Sequence, residues 1–303
     1  MTLTAAQREL RRGRVTASIA ADILGEGRFG SELTAWISVM GLPSEDIGDK
    51  PVVRAGNYFE QGVANWWQDD VGTPEGLTLS GDGHTTLVHP ELDWLAATPD
   101  RFVHDSTGQL VAVLQIKTSA LWNMDDWRDR DTGETTVPDY VRLQCEVEMA
   151  VAGVSRAYVA AVIGGNTPFF AVIESDPALR AHVVAALGAW HRRYVLGNVP
   201  PAPTGRECDT HAFKYLHPND TGEIVSLSED AEVAAVRSEE IASQIEELKS
   251  QRELLRNIVR AEMETATFGS SPLASVTYKT SRKGVRSLRV EIQEKGSAYA
   301  AAI

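Results

Sequence analysis

Two short apolar segments flank a Thr107-Gly108 turn, and this pattern reads as an antiparallel hairpin. In the first, Leu95-Ala96-Ala97-Thr98 leads into Pro99-Asp100, and Arg101-Phe102-Val103 continues the strand. The second, a strand over 110–117, ends in Gln115-Ile116-Lys117. Fourteen residues separate Asp100 from Gln115. Side chains alternate along a strand, so residues 115 and 117 share one face. A chain built this way must contain a sheet that carries an aspartate and a lysine close together.

Those residue types suit one chemistry. Hydrolysis of a phosphodiester uses a divalent metal to polarise a phosphoryl oxygen and activate a water. Mg²⁺ prefers carboxylate, carbonyl and water oxygens. Asp100, a ligand at position 115 and the carbonyl of Ile116 can supply them, while Lys117 orients the attacking water or stabilises developing charge. Position 115 calls for an acid and holds Gln115. A plain surface hairpin, with Asp100 in a turn and Lys117 on a solvated face, fits the same letters, because short motifs recur by chance.

The 303 residues are 43% hydrophobic, enough for a real core in one large or two modest domains. No long uncharged apolar run predicts a membrane span. Met1 to Arg14 is polar and basic and lacks a signal-peptide core, so a cytoplasmic location is expected. Cys145 and Cys208 have no metal spacing, which fits a reducing compartment and excludes a four-thiolate iron–sulfur centre. The net charge of −13 opposes nucleic-acid binding taken as a sum. Its distribution does not. Arg8, Arg11, Arg12 and Arg14 cluster early, Lys279, Arg282, Lys283, Arg286 and Arg289 late, and acids concentrate over 223–264.

Along the chain, Thr16 to Leu24 reads as a capped short helix ending at Gly25. Ser31 caps a helix over 32–40 that Gly41 stops. A helix over about 55–70 carries Phe59, Val63, Trp66 and Trp67 on one stripe. Strands are expected at 77–80 and 84–89, and a Trp-bearing loop with a short helix at 119–137. Pro138 opens a helix with Tyr140, Gln144, Glu148 and Met149 that stops near Gly153. A buried strand from Arg156 to Ile163 pairs with Phe169 to Ile173, and a helix spans 177–196. This is a mixed α/β core, a sheet flanked by helices. From Ser228 to Thr267 there is no Gly or Pro, which predicts one long helix with Ile241, Ile245, Leu248, Leu255 and Val259 on a stripe that needs a partner, its own core first, or else another helix or another subunit. A terminal hairpin turns at Lys283-Gly284. The expected domains are 1–205 and a C-terminal extension, 206–303.

Taken in order, Gly13-Arg14-Val15-Thr16-Ala17-Ser18, Gly56-Asn57-Tyr58-Phe59-Glu60, Thr98-Pro99-Asp100, Gln115-Ile116-Lys117-Thr118, and Val137-Pro138 with Tyr140, Gln144 and Met149 form a specific set. Over about residues 8–200 the chain resembles the lambda-exonuclease, or YqaJ-like, viral recombinase family of PD-(D/E)xK nucleases. The hairpin after a long helix is similar to the tails of YqaJ-type members. The resemblance implies a restriction-endonuclease-like α/β core, an enzyme that degrades one strand 5′ to 3′ from double-stranded DNA ends with Mg²⁺ (or Mn²⁺), and a single-strand annealing protein as partner. Some members form ring trimers, and a phage-encoded one works in the cytoplasm of a bacterial host. By residue it implies Asp100, Gln115, Ile116 and Glu60 toward metal, Lys117 toward water or charge, and Gln144 beside the site. Arg14 and Ser18 would hold the 5′-terminal phosphate, with Tyr140 also toward DNA.

Family members place Glu where this chain has Gln115. An engineered change, a natural inactivation that leaves a DNA-end-binding or assembly protein, and compensation by another acid are all open. Glu148 lies four residues after Gln144 on one helix face, whereas Glu146 lies about 200° away. Repair or CRISPR-type nucleases of the same superfamily are a further alternative, and the absence of a cysteine cluster counts against the iron–sulfur versions.

Overall fold

The computed structural model describes residues 5–129 and 131–293. The chain forms two units, one through Asp220 and one from Thr221. In chain order the first unit contains α1 (Ala5–Arg11), β1 (Val15–Thr16), α2 (Ala20–Ile23), α3 (Glu32–Met40), α4 (Pro51–Trp67), α5 (Thr73–Glu75), β2 (Thr78–Ser80), β3 (Leu87–Val88), β4 (Leu95–Ala97), β5 (Arg101–His104), β6 (Leu110–Ser119), α6 (Asp139–Ala152), β7 (Arg156–Ile163), β8 (Thr167–Glu174), α7 (Pro177–Trp190) and α8 (Glu207–Leu216).

The central sheet has five strands in the order β2-β5-β6-β7-β8. All pairs are antiparallel except β6 with β7. That parallel pair needs a crossover, and α6 supplies it. Both faces of the sheet are covered, which explains why β7 reads as an unbroken apolar run. Alternation then sorts the side chains. Ala112, Leu114 and Ile116 join Tyr158, Ala160 and Val162 against Val63, Ala64 and Trp67 of α4. Val113 joins Ala157, Val159, Ala161 and Ile163 against Val141, Cys145 and Met149 of α6.

The opposite side of α6, through Val147 and Val151, packs in a further core with α2, α3, β4 and α7. Helix α6 is thus buried on two sides, and Gly153 ends it in a left-handed conformation at φ 72°. Ser31 caps α3 in a reciprocal capping box with Thr34. Its hydroxyl also donates to the buried Asp209 of α8. Through that contact and Ala212 the first unit takes in α8, which lies past residue 205.

Two local expectations change. The helical stretch expected from Thr16 begins at Ala17, with Thr16 as its extended cap, because Val15 and Thr16 pair in parallel with Leu95 and Ala96. The strand expected to continue from Leu95 through Val103 is two strands in two sheets. β4 sits between β1 and β3, and β5 sits in the central sheet, so the chain changes sheets at Thr98-Pro99-Asp100. Pro99 lacks a backbone donor and suits that break in pairing.

The second unit holds α9 (Glu229–Met263) and a three-stranded antiparallel sheet in the order β11-β10-β9, from β9 (Phe268–Ser270), β10 (Ala274–Thr280) and β11 (Arg286–Ile292). The hairpin was expected and β9 was not. Gly284 makes its turn at φ 79°. Ile241, Ile245, Leu248 and Leu255 on the apolar stripe of α9 are exposed in the single chain. Among the described residues no helix is long and apolar enough to cross a membrane.

Trp67 is fully buried and meets the Tyr158 ring edge-on at 4.9 Å, pinning α4 to the sheet. Replacing it with alanine is expected to cost about 3–5 kcal/mol, read as a lower urea midpoint. A midpoint within error of the parent would show that α4 is held by other contacts.

Candidate active site

Alternation along the hairpin decides which helix each polar residue meets. Phe102 lies on the α6 side of the sheet with Val113. Asp100, Gln115 and Lys117 have the same parity as these neighbours and turn toward α6. Arg101 has the opposite parity and turns toward α4.

On the α6 side the expected residues come together. Asp100 Oδ2 accepts a hydrogen bond from Gln115 Nε2 at 2.7 Å and another from the Ile116 backbone N–H at 2.7 Å. Gln144 Nε2 donates to Gln115 Oε1 at 3.0 Å and to Glu148 Oε1 at 2.8 Å. Lys117 Nζ donates to Gln144 Oε1 at 2.9 Å. Asp100, Gln115, Lys117, Gln144 and Glu148 therefore form one connected polar group, in which Gln115 and Glu148 are buried and Asp100, Lys117 and Gln144 half-buried. Glu146 does not belong to it. It is bonded by Ser175 Oγ at 2.9 Å and lies 3.5 Å from Arg180 Nε.

The electrostatics mark the two acids. Burial pushes the Asp100 carboxyl up to about 6, against the opposing pull of Lys117 and the Ile116 N–H. Burial pushes Glu148 up to about 8, and the negative charge of Asp100 adds to it. Glu148 Oε2 is buried with no hydrogen-bond partner. A hard divalent cation fits these observations: it would partner the orphaned oxygen and relieve the repulsion between the two carboxylates. Asp100 and Glu148 are the charged donors, with Gln115 and the Ile116 carbonyl as neutral ones. Among the described residues no three or more His, Cys, Asp or Glu side chains gather as a metal cluster. The neutral donors would have to complete the shell.

The other expected residues sit elsewhere. Glu60, on α4, pairs with Arg101 at 2.7 Å, and its negative charge adds to the upward push on Asp100. Arg101 also donates to Gln61 Oε1 at 3.0 Å and to the Asp100 carbonyl at 2.6 Å, so it braces the backbone of Asp100. Sequence reasoning passed over Arg101, although its parity opposite Asp100 was readable. Arg14 does not meet Ser18. Its guanidinium donates to the carbonyls of Asp93 and Leu10, each at 2.7 Å. Arg11 takes that place, donating to Ser18 Oγ at 3.0 Å and Thr16 Oγ1 at 3.2 Å. Tyr140 is half-buried beside Arg28, one turn before Gln144. Trp67 and Trp127 are core residues, whereas Trp122 is 85% exposed.

Residues 8–155 match the family model of the YqaJ-like viral recombinase domain. The uncharacterized protein YqaJ of Bacillus subtilis (strain 168) is 24% identical over 262 residues, which cover 86% of this chain and 78% of that protein. Among solved structures, an alkaline exonuclease (LHK-Exo) from Laribacter hongkongensis superposes with a TM-score of 0.50 at 18% identity, covering 64% of this chain and 94% of its own. LHK-Exo in complex with dAMP gives 0.51 at the same identity and coverage. At that identity the two structures establish a shared fold.

The raised acids carry a stability signature. An unfolded glutamic acid ionises near 4.5 and the folded Glu148 near 8. Between those values the unfolded chain binds fewer protons, so stability falls as pH rises through the window. In EDTA, urea midpoints are expected to drop as pH climbs toward 8, and Glu148→Gln is expected to flatten that slope. Added Mg²⁺ should restore more stability at the alkaline end. A parent slope unchanged in Glu148→Gln would count against a buried, proton-holding Glu148.

Proposed function

We propose that this protein, whose residues 8–155 match the family model of the YqaJ-like viral recombinase domain, is a metal-dependent DNA exonuclease that digests one strand 5′ to 3′ from a duplex end. The observation that carries the reading is the joining of Gln115, Lys117 and Glu148 through the single amide of Gln144, with Asp100 bonded in turn by Gln115.

Bound Mg²⁺ or Mn²⁺ would polarise the phosphoryl oxygen and activate water. Asp100 and Glu148 would hold it, with the oxygens of Gln115 and Ile116 in support. Lys117 is kept at the site by its bond to Gln144, where its ammonium stabilises charge on the phosphoryl oxygens or orients the incoming water. Glu60 acts one step back: by neutralising Arg101 it fixes the arginine that holds the Asp100 carbonyl. Arg11 with Thr16 and Ser18 offers a cation beside two hydroxyls, a set suited to a terminal phosphate. β1 pairs with β4, which ends just ahead of Asp100, so the sheet links that cluster to the acids. Tyr140 lies on the same helix as Gln144 and would face the DNA from beside the site. Coupling of the product strand to an annealing protein, and assembly into a ring, belong to this reading as expectations.

Gln115 bears on activity directly. Its Nε2, not its oxygen, meets Asp100, and it binds the aspartate without adding a third negative charge. Glu148 supplies the second acid instead. The alternative is a DNA-end-binding protein that does not cut, favoured by the neutral amide at position 115.

Digestion of linear duplex DNA with 5′-phosphate or 5′-hydroxyl ends, in Mg²⁺ and in EDTA, tests both. Metal-dependent loss of one strand, faster from the 5′-phosphate, is expected. Lys117→Ala and Glu148→Gln should each slow it by about 100-fold or more, while Gln115→Glu should raise it. End-binding without digestion in the parent would favour the alternative. Full activity in Glu148→Gln would remove that residue from the mechanism.

A further inference from the structure

The C-terminal sheet has two unlike faces. Cross-strand register places Val276 with Val290 and Tyr278 with Leu288 on one of them. Leu288 is buried there, and Arg256 of α9 donates to its carbonyl at 2.6 Å. At the same end Gly269 runs so close to α9 that an added Cβ would lie 2.6 Å from Met263 Sδ.

The other face carries different chemistry. Phe268, Thr277 and Arg289 form one row straight across the three strands, and Lys279 with Ser287 forms the next row. Arg282 and Lys283 extend from the turn beyond. Phe268 is 74% exposed and stands on an edge strand. Lys279, Arg282 and Lys283 have no ion-pair partner among the described residues, and Arg289 is shared with Glu291 at 3.1 Å. Residues 264–293 hold five Lys or Arg and two Glu, in a chain whose net charge is −13. Arg286 is not part of this face: it lies over the Tyr278 ring at 3.8 Å and bonds backbone carbonyls, so it serves the fold.

We propose that this outer face of the C-terminal sheet binds single-stranded DNA, with a base stacked on Phe268 and phosphates on Lys279, Arg282, Lys283 and Arg289. A solvent-exposed aromatic flanked by cations on a sheet is a stacking platform with an electrostatic track. A duplex hides the faces of its bases, so a protruding ring has nothing to stack on there, whereas an unpaired strand presents them. The choice of DNA rests on the exonuclease reading, in which the uncut strand is such a ligand.

The test uses the full chain in EDTA and anisotropy of a dye-labelled oligo-dT. Phe268→Ala is expected to weaken binding roughly tenfold with an unchanged urea midpoint. Together, Lys279→Gln, Arg282→Gln and Lys283→Gln should lower the salt dependence by about two phosphate contacts' worth. Equal affinity in the parent and both variants would overturn the proposal. So would equal losses on duplex and single strand, or a parent that binds no oligo-dT, which would leave the face to a protein partner. Digestion in Mg²⁺ separates the two readings. Normal digestion with binding indifferent to Phe268→Ala defeats this proposal alone, and the expected binding pattern without digestion defeats the exonuclease alone.

Discussion

The carboxamide of Gln144 is saturated on both sides. Its oxygen accepts from the Lys117 ammonium, and its two N–H groups go to Gln115 and Glu148. The reverse orientation would set an NH₂ against the ammonium and an oxygen against the Glu148 carboxyl, so the flanking charges fix the amide's direction. Once fixed, it holds a lysine from the central sheet and an acid from the crossover helix at one point. Low local dielectric strengthens such a network and makes any missing partner costly. Among the described residues the buried Glu148 Oε2 has no hydrogen-bond partner in it.

Helix α6 can carry this network because its sides are divided by spacing. Val141, Cys145 and Met149, four residues apart, face the sheet core. Leu143, Val147 and Val151, again four apart, face the core with α3 and α7. Gln144 and Glu148 form a polar stripe between them. Burial on both sides leaves the stripe little freedom, and the same burial raises the Glu148 pKa. Positioning and electrostatic tuning thus have one cause. Arg101 and Glu60 act on the α4 side of the sheet, where they brace the strand that bears Asp100.

Charge is divided within the second unit. Helix α9 has nine acidic and five basic residues, whereas the stretch after it is net basic. A total of −13 therefore says little about nucleic acid, because contacts with phosphate depend on local cations. Phe268 and Arg289 come into one row, on either side of Thr277, only when β9 and β11 flank β10.

Local pattern determined much of this protein. The Ser31 cap and Gly41 stop of α3, the Thr107-Gly108 turn, the long helix from Ser228 and the pairing of residues 115 and 117 on one face depend on neighbours in sequence, and all were readable there. Asp100, Lys117 and Gln144 were named from the order of short motifs. Three things depended on contacts between distant segments. The sheet change at Pro99 follows from β1 pairing with β4, the choice of Arg11 over Arg14 from the path of the chain into β1, and the Glu60–Arg101 pair from the side of the sheet on which α4 docks. Glu148 stands between these cases. Its helical spacing from Gln144 showed that it could reach the site, and only the packing of α6 between two cores bonded it to Gln144 and raised its carboxyl.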